Sequence, residues 1–143
     1  MSEIASSLVP LSRHQAQVML EAGYVWMDMG QWDKARQIFQ GAAALMPKSE
    51  VPQLALGTLE LAQGRHDKAL QAYRSAQKLS PRSSLPRAHA AEALLFLGKV
   101  DEAMKEIKAA MEVEPEGDGA RLARALLEAK EAGALPPAAA AKK

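Results

Sequence analysis

GQWDKARQIFQGAAALMP (residues 30–47), GRHDKALQAYRSAQKLSP (64–81) and GKVDEAMKEIKAAMEVEP (98–115) align without a gap. Each begins on a glycine and ends on a proline, and each lies 34 residues after the one before. Asp33, Asp67 and Asp101 recur at that period, as do Ala35, Ala69 and Ala103, then Ala42, Ala76 and Ala110. Phe39, Tyr73 and Ile107 share one register position. So many positions agreeing at one period make the chain a repeat array. The glycines suit the left-handed backbone that ends a helix, and the terminal prolines cannot continue one. The alanines let two helices approach closely while the larger residue fills the space between them.

Working outward, Pro52 and Pro86 each follow a repeat-ending proline by five residues. That spacing suits the first turn of a helix, where a missing N–H costs nothing. The pattern predicts helices at about 13–29, 32–46, 51–63, 66–79, 85–97, 100–113 and 119–132. Ser12 with Gln15 predicts a capping box for the first, and Asp118 predicts a cap for the last. In the seventh helix Leu122, Ala125, Leu126 and Ala129 fall on one face, as a terminal cap over an otherwise open apolar end requires. The expected organisation is a mobile arm at 1–11, a repeat domain at 12–133 and a disordered tail at 134–143. Within that domain the repeats fall at about 16–49, 50–83 and 84–117, followed by the capping helix 119–132.

The 143 residues suit one domain. Eighteen Lys plus Arg against seventeen Asp plus Glu, interspersed, leave no basic run to track a phosphate backbone, so nucleic acid is not an expected partner. Absent cysteines remove disulfides and thiolate chemistry and fit a reducing compartment. The N-terminal MSEIASSLVPLS has neither the basic nor the apolar segment of a signal peptide, and no stretch is apolar enough to span a bilayer. A soluble cytoplasmic protein is expected.

His89 and Glu92, three residues apart, would share a helical face. As a metal site they lack a third ligand in register, since His14 lies elsewhere and His66 holds the turn position of Trp32 and Val100. There is no strand-to-helix nucleophile elbow and no glycine-rich phosphate loop. Trp26, Trp32, Tyr24 and Tyr73 raise the question of base stacking, but three of the four hold repeat positions that pack the array. Neither an enzyme nor a bound cofactor or metal is expected.

A 34-residue period with Gly between two helices, small residues on the second and Pro at its end resembles the tetratricopeptide repeat over about residues 16–117. The resemblance implies an all-α, right-handed superhelical solenoid of three repeats plus a C-terminal capping helix. It also implies that the first helix of each pair lines a concave, protein-binding groove. By register the groove positions are Leu20, Tyr24 and Met27, then Leu54, Thr58 and Leu61, then Ala88, Glu92 and Leu95, with His89 and Phe96 alongside. Relatives that clamp a C-terminal carboxylate place Lys, Asn and Arg on this surface. The matching positions here carry Leu20, Tyr24, Ala55, Leu85 and His89, so an extended apolar segment is the expected ligand.

HAAEALLFLGKVDEA (89–103) is similar to the last repeat of the class II chaperones of bacterial type III secretion, and LALGTLELAQGRHDKALQAY (54–73) to their middle repeat. This resemblance implies a cytoplasmic chaperone that holds a hydrophobic translocator soluble, without ATP, by burying an extended segment of it in the groove. It also suggests a homodimer, although the longer N-terminal helical region that family members use for it has no counterpart in the dozen residues before the first repeat. The competing reading is a scaffold that joins a stable assembly by packing a partner helix, as needle-subunit chaperones do.

Overall fold

The computed structural model of the chain describes residues 11–134. The expected arm (apart from Leu11) and tail (apart from Ala134) lie outside them. The described residues form seven α-helices and no strand: α1 (Arg13–Asp28), α2 (Trp32–Leu45), α3 (Val51–Ala62), α4 (His66–Leu79), α5 (Ser84–Phe96), α6 (Val100–Val113) and α7 (Asp118–Glu131). They pair as α1/α2, α3/α4 and α5/α6, with α7 packed on both α5 and α6.

The repeated glycines do what their period requires. Gly30, Gly64 and Gly98 have φ of +74°, +75° and +77°. Each N–H donates to the carbonyl three residues back, and the following N–H donates to the carbonyl five residues back, as in Gly64 to Leu61 and Arg65 to Glu60. This left-handed cap satisfies the last carbonyls of α1, α3 and α5 and turns the chain sharply into the next helix.

Within each hairpin the second helix lays a large side chain on a small residue of the first. A Cβ at Gly23 would lie 2.3 Å from the Phe39 ring, and one at Gly57 would lie 2.4 Å from the Tyr73 ring. In the third repeat Ala91 faces the smaller Ile107, so the pair keeps its total volume as one member grows and the other shrinks. Phe39, Tyr73 and Ile107 are all buried, as are Ala35, Ala69 and Ala103 in the same helices.

Successive repeats stack through less uniform contacts. Leu70 and Leu94 belong to one packed cluster between the second and third repeats. One repeat earlier the same positions are Arg36 and Glu60, which form an ion pair that Arg65 flanks at 3.6 Å. Glu106 of α6 is held by Arg74 of α4 and Arg87 of α5, tying three helices together. Glu114, just beyond α6, accepts from both the backbone N–H and the hydroxyl of Ser84 at 2.8 Å, so a carboxylate caps the start of α5. Those two hydrogen bonds, backbone first, lower the Glu114 pKa.

The capping box at Ser12 and Gln15 forms as expected. The cap of α7 does not. Its N-cap is Gly117, while Asp118 is the first helical residue and pairs with Arg121. Gly119 explains the shift: a Cβ there would lie 2.1 Å from the Ser84 carbonyl carbon, so the start of α7 presses backbone to backbone against the start of α5. The docked face of α7 is accordingly Gly119, Ala120, Ala123 and Leu126, with Leu122 half-buried and Ala125 exposed. The face expected from Leu122, Ala125, Leu126 and Ala129 is rotated from the one observed.

Gly57→Ala should lower stability by about 1–3 kcal/mol, because the Tyr73 ring has no room to yield. Gly41→Ala meets only the flexible end of Met19 at 3.2 Å. It should be neutral or gain up to about 1 kcal/mol of helix propensity. Urea unfolding of the two variants beside the parent chain checks the pair.

Candidate functional site: the inner face of the first helices

α1 touches α3 and α3 touches α5, so the first helices of the pairs make one layer and the second helices another. The site expected from register lies on that first layer, and its members divide in two. Leu54, Ala88 and Leu95 are core: Leu54 packs with Ala69, Tyr73, Ala90 and Ala93, and Ala88 and Leu95 pack with Leu94, Ile107 and Ala123. With Leu54 and Leu95 at 8% and 9% exposure and Ala88 at zero, they offer a ligand almost no surface. Leu20, Tyr24, Met27, Thr58, Leu61, His89, Glu92 and Phe96 are half-buried, packed below and open above.

The open set is apolar at the first repeat. Leu20, Tyr24 and Met27 sit over Phe39 and Leu59, with the Tyr24 and Phe39 rings meeting edge to face at 5.1 Å. Leu20 and Tyr24, with Met46 from the end of α2 and Val51 from the start of α3, line an open cleft of about 690 Å³. Burial raises the Tyr24 pKa, so the phenol remains neutral and a hydrogen-bond donor at physiological pH.

Between the second and third repeats the surface turns polar through a connected group. Tyr73 reaches up from α4 between α3 and α5 and brings its hydroxyl 3.2 Å from Thr58 Oγ1. The His89 ring stacks on the Tyr73 ring with centroids 5.1 Å apart, and His89 Nδ1 lies 3.4 Å from Glu92 Oε1. A carboxylate only accepts, so the imidazole N–H donates in that contact. Burial pushes the Tyr73 phenol well above the usual tyrosine range; Glu92 and Tyr24 push the same way and the Thr58 contact opposes them. Beyond this group Phe96 is stacked on His66 at 4.9 Å, with the rings nearly parallel.

The pair His89 and Glu92 thus sits in a hydrogen-bonded and stacked frame. Among the described residues no group of three or more His, Cys, Asp or Glu could hold a metal ion. No helix among them is long and apolar enough to cross a membrane.

Sequence reasoning misses three contributors. Met46 and Val51 line the cleft from a helix end and a helix start, where register counting along the first helices does not look. Val51 is visible in retrospect as the residue one turn before Leu54. Tyr73 reads as filler alongside Phe39 and Ile107, and the signal in it is the hydroxyl that Phe39 lacks.

A two-layer stack of helical hairpins, repeated at 34 residues and closed by a last helix, defines a helical repeat protein. The chain belongs to the tetratricopeptide repeat family, whose sequence model matches residues 26–73 and 60–129. No curated protein matches the sequence. Its fold is similar to that of the type III secretion translocator chaperone SycD of Yersinia enterocolitica, at 24% identity and a TM-score of 0.71, covering 82% of this chain and 91% of that one. It is also similar to PcrH of Pseudomonas aeruginosa, at 29% identity and a TM-score of 0.69, covering 83% and 93%. PcrH in complex with the chaperone binding region of PopD superposes at 29% identity and a TM-score of 0.69, covering 88% and 98%.

The raised Tyr73 pKa sets an alkaline limit on stability. The unfolded chain releases the phenolic proton near pH 10, whereas the folded chain keeps it to higher pH. The contribution is complete below pH 10 and is lost as pH rises above it. Tyr73→Phe should therefore flatten the fall in melting temperature above pH 10, which thermal scans from pH 8 to 11.5 would detect.

Proposed function

We propose that the protein is a chaperone that masks an extended apolar segment of an export-bound, translocator-type protein along the inner face of α1, α3 and α5, in the bacterial cytoplasm. The observation that carries this reading is the set of half-buried apolar side chains on the first helices, Leu20, Tyr24, Met27 and Leu61, of which Leu20 and Tyr24 line the open cleft with Met46 and Val51. A monomeric soluble protein seldom keeps such a surface uncovered without a partner for it. The similarity to PcrH, which has been solved with the chaperone binding region of PopD, supplies the class of partner.

The mechanism needs no catalysis. Each Å² of client apolar surface removed from water contributes about 25 cal/mol, and that gain competes directly with the client's self-association. Met27 and Met46 bring unbranched, adaptable side chains to a surface that must accept apolar residues of varied shape. Thr58, His89 and Glu92 provide donors and acceptors for the backbone of an extended segment, whose N–H and C=O groups need partners once buried. Leu54, Ala88 and Leu95 act from below, fixing the spacing of the three helices.

Co-expression with a membrane-active translocator protein that aggregates alone tests this directly. The parent chain should keep the client soluble and co-purify with it. Tyr24→Asp combined with Leu61→Lys should weaken the complex by roughly 30-fold or more, the scale expected on losing apolar anchors. Far-UV circular dichroism should be unchanged. A client that stays soluble and bound with the double variant would refute the groove assignment.

A further inference from the structure

The C-terminal end of the stack carries features that the groove does not use. α7 ends as the first helix of a repeat ends. Gly133 has φ +66°, its N–H donates to the Lys130 carbonyl, and the Ala134 N–H donates to the Ala129 carbonyl, as at Gly30, Gly64 and Gly98. α7 therefore holds the place of the first helix of a fourth repeat.

Beside it, α6 carries side chains in the register of the α4 residues that meet the next repeat. Leu70, Arg74 and Gln77 of α4 correspond, 34 residues on, to Met104, Lys108 and Met111 of α6. Leu70 packs against the core of the third repeat, and Arg74 donates to Gln77 and ion-pairs with Glu106 of the following second helix. On α6 the corresponding Met104, Lys108 and Met111, with Lys105 and Ile107 of the same helix and Leu127 of α7, line an open cleft of about 400 Å³, in which Met104, Met111 and Leu127 rest on the core below and Lys105 stands beside Lys108 as a second exposed cation. Lys108 is exposed and has no ion-pair partner among the described residues. The end of the stack thus pairs an apolar slot with a cation in the register position where Arg74 meets a carboxylate.

We propose that this cleft is a docking slot for an amphipathic helix of a partner protein, one that lays an apolar face on Met104, Met111 and Leu127 and sets a carboxylate against Lys108. The helix would stand where the second helix of a fourth repeat would stand, as Glu106 of α6 stands against Arg74. Charge and register select this occupant. Residues 135–143, LPPAAAAKK, contain no Asp or Glu to meet Lys108. In a second copy the first helix among the described residues, α1, belongs to the first layer, whereas the slot calls for a second-layer helix. The slot lies on α6 and α7, away from the inner face of α1 and α3, and does not depend on the chaperone reading.

The probe is a fluorescein-labelled synthetic peptide of residues 98–115, the helix that fills the equivalent place one repeat earlier, titrated with the full chain by fluorescence anisotropy. Saturable binding is expected. Lys108→Glu in the chain, or Glu106→Lys in the peptide, should weaken it about tenfold, and combining the two should restore most of the loss. Tyr24→Asp should leave it unchanged, which separates this slot from the groove. Lys108 is exposed, and a thermal melt verifies that its variant is folded. No binding up to about 1 mM peptide, equal binding by Lys108→Glu, or loss of binding with Tyr24→Asp would overturn the proposal. A gain in affinity on deleting residues 135–143 would overturn it in favour of the chain's own tail. Dimerisation of the chain alone that Lys108→Glu abolishes would overturn it in favour of a second copy.

Discussion

An aromatic ring lying on a glycine holds each of the first two hairpins together. Phe39 occupies the space that a side chain at Gly23 would need, and Tyr73 does the same at Gly57. The ring can be buried completely only because the opposing helix offers bare backbone, and burying it fixes the distance and angle between the paired helices. With that spacing set, the inner face of α1, α3 and α5 has a defined curvature and their half-buried side chains a defined separation. A ligand surface built on these helices inherits its geometry from contacts on the side facing away from the ligand.

Tyr73 joins the two sides. Its ring is core, yet its hydroxyl meets Thr58 and its upper face carries His89, which in turn contacts Glu92. One second-layer residue thereby positions the polar part of the inner face. The ion pairs add a second order of organisation. Arg36 with Glu60, and Arg74 with Glu106, tie neighbouring repeats, and Arg87 holds Glu106 from within the third repeat, with both carboxylates largely buried. Such pairs contribute less net stability than apolar contacts of equal size, but they penalise any shift in how repeats stack. The first interface uses Arg36 and Glu60 where the second uses Leu70 and Leu94, and the second carries its ion pair elsewhere, at Arg74 and Glu106.

The repeat was legible in the sequence because its determinants are local and recur. A left-handed glycine, a proline that stops a helix and an alanine at a close approach each have a one-residue signature, and three copies at one period remove the ambiguity of any single one. Ser12 with Gln15 was legible for the same reason. Asp118 was not, because what decides the start of α7 is Gly119 pressing on Ser84 of α5, a contact 35 residues away in the chain. The rotated face of α7 follows from that same contact. Register placed Leu54, Ala88 and Leu95 on the first helices correctly but could not tell which of their flanks faces a neighbouring helix. That depends on how far each repeat turns relative to the last. Met46 and Val51 escaped because the cleft they border is formed where two repeats meet, and no period within one repeat reports it.

The account rests on the inner layer being the surface that takes an extended apolar segment. Methyl NMR of the full chain, titrated with a peptide from the chaperone-binding part of a translocator protein, reads this residue by residue. The methyl signals of Leu20, Met27, Val51 and Leu61 should shift on binding, while those of Leu94 and Ile107 in the core should move little. Shifts confined to Met104, Met111 and Leu127, or none on α1 and α3, would contradict it.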